Sequence, residues 1–97
     1  MKVFAIGTAT KEISDELKMQ IMPKEVPATL QLYLDGKIEQ FFFRQDIPGV
    51  VFLVNALSLD EAKSLIGALP LAAGGHLHFD YIPVGPLAPL GMLLQGR

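Results

Sequence analysis

The chain has 97 residues, room for one domain and not for two, and a chain this short buries only about 60–65% of its unfolded surface on folding. With 51% apolar and 19% charged residues and a mean hydropathy of +0.39 it is too hydrophobic to stay disordered. Eight Lys and Arg against ten Asp and Glu give a net charge of -2, which supplies no basic footprint for nucleic acid or an anionic membrane. Cysteine is absent, which removes disulfides, thiolate chemistry and sulfur-ligated zinc together and fits a reducing, cytoplasmic location. The apolar patch of the opening residues meets Lys11 and Glu12 too soon for a signal peptide or a span, and Pro70, Gly74 and Gly75 interrupt the long uncharged stretch Ser64 to Phe79. A soluble single domain over residues 1–97 is expected.

Lys2 to Ala9 is a short apolar run with β-branched and aromatic residues and predicts a first strand. Ser14 is an N-cap with Asp15 and Glu16 behind it, and Leu17, Ile21, Val26, Leu30, Tyr33 and Leu34 recur at helical spacing. Pro23 and Pro27 lack N–H donors and crowd the preceding turn, so a kink or break near Pro23 is expected, with Pro27 in the first turn of a second segment and Gly36 ending it. Lys37 to Arg44 and Val50 to Asn55 read as a hairpin turned by Pro48-Gly49. Ser58 and Glu61 have capping-box spacing, and Leu59, Ala62, Leu65, Ile66 and Leu69 form one apolar face of a helix that Pro70 stops. His76 to Val84 alternates and supplies a fourth strand, followed by a tail containing Gly85, Pro86, Pro89 and Gly91.

The order β-α-β-β-α-β is the ferredoxin-like arrangement of the α+β class, a four-stranded antiparallel sheet with both helices on one face. A sheet covered on one side should alternate apolar and polar residues, yet Phe4 and Ile6 oppose Val3 and Ala5, Phe41 and Phe43 oppose Ile38 and Phe42, and Val51 and Leu53 oppose Val50, Phe52 and Val54. Two helices cannot cover both faces, so the second is expected to meet another copy of the chain in a homodimer.

The segments Arg44-Gln45-Asp46-Ile47-Pro48-Gly49-Val50-Val51, Ser58-Leu59-Asp60-Glu61-Ala62, Leu69-Pro70-Leu71 and His78-Phe79-Asp80-Tyr81-Ile82-Pro83-Val84-Gly85-Pro86 resemble the muconolactone delta-isomerase-like family over about residues 20–90. The resemblance implies a dimeric α+β barrel, protomers pairing sheet to sheet, with a small-molecule pocket in each subunit and, in many members, assemblies of dimers. It also implies chemistry: the family includes an isomerase that moves a double bond in an unsaturated lactone, and dehalogenating relatives. The isomerase's strand-two arginine falls near Phe43 and Arg44, offset by one residue. The function expected is therefore a cofactor-free isomerase or cyclase acting by proton transfer on an unsaturated lactone or polyketide-like carbonyl compound. The alternative is a non-catalytic ligand-binding or accessory protein on the same fold.

Moving a double bond beside a carbonyl needs a base and an electrostatic partner for the enolate. Glu25 is the candidate base if burial raises its pKa; otherwise it is a solvated first-turn residue. Arg44 ends an aromatic run and could hold an enolate or carboxylate, with Asp46 fixing it, or the two could form an exposed hairpin-end ion pair. Phe43 belongs to the aromatic wall, and Tyr33 shares the Glu25 helix face as a ligand contact or as core with a wet hydroxyl. His78 is the acid/base candidate on strand four. His76, His78 and Asp80 alternate as metal ligands can, but nothing completes a coordination set, and no metal is expected. Gly74-Gly75 lacks the following helix of a phosphate loop, and no serine sits in a nucleophile elbow.

Overall fold

The computed structural model of the protein describes residues 1–86, so Pro89 and Gly91 lie outside the described residues. Four strands, β1 (Lys2–Ala9), β2 (Ile38–Phe43), β3 (Gly49–Asn55) and β4 (Leu77–Val84), form one antiparallel sheet in the order β2-β3-β1-β4. Helices α1 (Asp15–Leu34), α2 (Leu59–Gly67) and the short α3 (Pro70–Ala73) complete the element list. This is the ferredoxin-like α+β fold that the order of elements predicts.

Helix α1 runs unbroken for 20 residues through Pro23 and Pro27, contrary to the expected break. The two prolines are one turn apart and both face solvent, so the carbonyls of Met19 and Pro23 that lose their amide donors lie on the wet side, where water can replace the missing bonds. Ser14 caps the helix through the Leu17 N–H at 3.2 Å. Gly36, at φ 76°, ends it: Gly36 N–H donates to the Tyr33 carbonyl and Lys37 N–H to the Leu32 carbonyl, a Schellman motif.

Pro70 stops α2, as expected, but it also opens the unpredicted α3 as its first residue, where a missing N–H costs nothing. Gly75, at φ 77°, ends α3 by the same pattern: its N–H donates to the Ala72 carbonyl and that of His76 to the Leu71 carbonyl. The pair Gly74-Gly75 is thereby a helix terminator.

The core lies between sheet and helices, where Val3, Ala5, Ile38, Phe52 and Val54 pack against Ala62, Ile66 and Leu69. A register shift between Ile38 and Gln40 puts Ile38, Phe41 and Phe43 in line with the inward residues Val54, Phe52 and Val50. Ile38 therefore shares the face of Phe41 and Phe43, where strict alternation had opposed them. The other face carries Phe4, Ile6, Thr8, Val51, Leu53, His78, Asp80 and Ile82, with no element of the described chain over it. Among the described residues no helix is long and apolar enough to cross a membrane.

Candidate functional site

Residues Met22, Glu25, Val26, Thr29 and Leu30 recur at three- and four-residue steps and form one stripe along α1. That stripe faces Phe41 to Phe43 of β2, Val50 and Phe52 of β3, Leu71 of α3 and Leu77 of β4, and the elements enclose a pocket of about 320 Å³. Its walls are almost wholly apolar, and its size suits a small ring compound.

Glu25 is the one charged side chain buried among the described residues, only 6% exposed. Unbroken, α1 places it in mid-helix, away from the positive end that a break at Pro23 would have put beside it. The donor it receives comes instead from α3: Leu71 N–H donates to Glu25 Oε2 at 3.2 Å. The second oxygen makes no hydrogen bond among the described residues and is not sealed from solvent. No Lys, Arg or His among them pairs with this carboxylate. Burial pushes the Glu25 carboxyl above its ordinary value of 4.5, and the Leu71 N–H opposes that shift in part. Thr29, one turn on, donates its hydroxyl to the Glu25 carbonyl oxygen at 2.9 Å and so is held by the helix itself.

Phe43 lines the mouth of the pocket and is 80% exposed. Tyr33 stands beyond the pocket wall, its ring edge-on to Phe41 at a centroid distance of 5.3 Å. Arg44 belongs to the opposite face. Its Nε and one terminal nitrogen grip Asp46 at 2.9 and 2.6 Å, and the other terminal nitrogen donates to Thr8 Oγ1 at 2.9 Å. This fork holds the Asp46 carboxyl down at about 2. Glu25 and Arg44, the candidate base and the candidate holder of its enolate, are thus separated by the sheet within a protomer. His78 shares the open face, opposite Thr8, 3.4 Å from Asp80 with both side chains exposed. His76 lies just before β4, and among the described residues no three His, Asp or Glu side chains gather at a metal site.

Sequence reasoning missed the contribution of α3. Leu69-Pro70-Leu71 held the signal, because a proline that ends one helix is also a favoured first residue of the next.

No family model matches the chain, and no curated protein matches it significantly. Among solved structures it is similar to the 5-chloro-2-hydroxyhydroquinone dehydrochlorinase TftG from Burkholderia phenoliruptrix AC1100, in complex with 2,5-dihydroxybenzoquinone. The two chains share 16% identity over 86% of this chain and 93% of that one, with a TM-score of 0.66. At that identity the likeness establishes a common ferredoxin-like α+β architecture.

Proposed function

We propose that the protein is a cofactor-free enzyme acting by proton transfer on a small unsaturated cyclic carbonyl compound, a lactone or polyketide-like ring, with Glu25 as the base. The observation that carries this reading is a carboxylate buried in the apolar wall of a ligand-sized pocket with no cation against it among the described residues. Such a group is unfavourable for the fold, and burial makes it a stronger base than a solvated carboxylate. With Oε2 fixed by Leu71, the free oxygen removes a proton from the carbon beside the carbonyl. The electron pair delocalises into a dienolate, and the same carboxyl returns the proton at the far carbon, so atoms and charge balance over the cycle.

Kinship with the muconolactone delta-isomerase-like proteins is supported by the Leu-Pro-Leu and Ile-Pro-x-Gly-Pro punctuation of this chain and by the likeness in fold to a dehydrochlorinase of a small ring compound. Pairing of two copies through the apolar open face belongs to the same proposal, and it would put Arg44 and His78 at the seam. Light scattering is then expected to give at least twice the 10.6 kDa protomer mass.

The test is a panel of unsaturated lactones and cyclic enones followed by absorbance and by deuterium uptake from solvent. Turnover by the native chain that falls about 100-fold or more in Glu25→Gln supports the reading. Ligands that bind in the pocket but exchange no protons favour the binding-protein alternative.

A further inference from the structure

We propose that the pocket selects uncharged ligands, ring compounds bearing a hydroxyl and lacking any carboxylate, phosphate or sulfonate. The inference rests on the reading of the Glu25 pocket as the ligand site and adds the charge class of what it takes.

Three observations carry it. The lining residues include no Lys, Arg or His among the described residues, and the guanidinium nearest in sequence, Arg44, lies on the other face with its donors committed to Asp46 and Thr8. The one ionisable group in the wall is itself an acid, so an anionic ligand would meet like charge in a poorly solvated space, where the repulsion is far stronger than in water. The backbone donor that could have served a ligand anion, Leu71 N–H, already points at Glu25 Oε2, which leaves an oxygen that wants a donor. A ligand hydroxyl satisfies that oxygen; a ligand carboxylate leaves two charges buried without partners.

Two probes of one size separate the cases, 3-hydroxyacetophenone and 3-hydroxybenzoate, titrated into the full-length chain at pH 8 and followed by the amide shifts of Val26, Thr29 and Leu71. The ketone is expected to bind at least about tenfold more tightly than the carboxylate. Glu25→Gln, an uncharged near-isostere, should narrow that gap to about threefold by strengthening 3-hydroxybenzoate binding. Val26→Lys, which adds a cation at an exposed position of the pocket rim, should reverse the preference. Equal or tighter binding of 3-hydroxybenzoate to the native chain overturns the proposal, as does a gap unchanged in Glu25→Gln, or pocket amides that respond to neither probe. Charge selection without turnover on the lactone panel upholds the inference and removes the enzymatic reading. Turnover lost in Glu25→Gln together with indifference to ligand charge does the reverse.

Discussion

The two faces of the one sheet treat charge in opposite ways. On the open face every charge is paired or wet: Lys2 reaches Glu39 at 2.6 Å, Arg44 forks onto Asp46, and His78 stands by Asp80 in solvent. On the covered face a single carboxylate sits among aliphatic and aromatic side chains with one backbone N–H for company. Solvated pairs are nearly neutral for stability, whereas a buried unpaired acid is expensive, so its position in the pocket wall favours a functional role. The contrast identifies Glu25, and not the better-dressed Arg44, as the group to test first.

The sharpest way to break this contrast uses neighbours in β3. Val54 is fully buried on the covered face, and Val54→Asp should abolish folding, a loss above about 4 kcal/mol, seen as absent thermal cooperativity in circular dichroism. Leu53→Asp, one residue earlier on the open face, should leave the protomer folded and remove any association of copies in light scattering. Ile66→Ala should cost about 2–5 kcal/mol in denaturant unfolding, because the side chain is fully enclosed between α2 and the sheet.

Glu25→Gln should lower turnover yet raise Tm at neutral pH. The folded-state pKa is raised, so the folded chain holds its proton longer than the unfolded one, and stability declines as pH rises from about 4.5 towards the folded value. The Tm gain of the Gln variant should therefore shrink on acidification. Turnover by the native chain should fall on an acidic limb as the carboxylate protonates, with no other titratable side chain lining the pocket among the described residues. The smallest effect is expected from Arg44→Ala, which should release the Asp46 carboxyl from about 2 towards its ordinary 3.8 in an NMR titration and leave binding in the Glu25 pocket unchanged. With Arg44 present, the depressed Asp46 pKa contributes stability that is complete above 3.8 and is lost as pH falls through about 2.

Most of the fold was legible because its signals are local. The Ser14 and Ser58 caps, the Gly36 terminator, the Pro48-Gly49 turn and the alternating strands each act within a few residues. Glu25 was legible as a candidate by chemistry alone. Its burial was not, because that depends on a stripe of α1 meeting Leu71, 46 residues away in sequence. The side of the sheet taken by Ile38 was hidden for a similar reason: the irregularity at Glu39 is a property of pairing with β3. Reading Pro23 as a break failed because a proline's cost depends on whether water can reach the carbonyl it orphans, and exposure is a tertiary fact.

The two prolines of α1 have a dynamic consequence. Neither residue 23 nor residue 27 can donate to the helix ladder, so two rungs are missing on either side of Glu25, while the Ser14 cap and the Gly36 terminator pin the ends. A helix built this way is softest in its middle, where the pocket wall is, and opening that wall breaks fewer backbone bonds than opening any other turn. Hydrogen exchange should find the amides of residues 24–26, 28 and 29 less protected than those of 31–34.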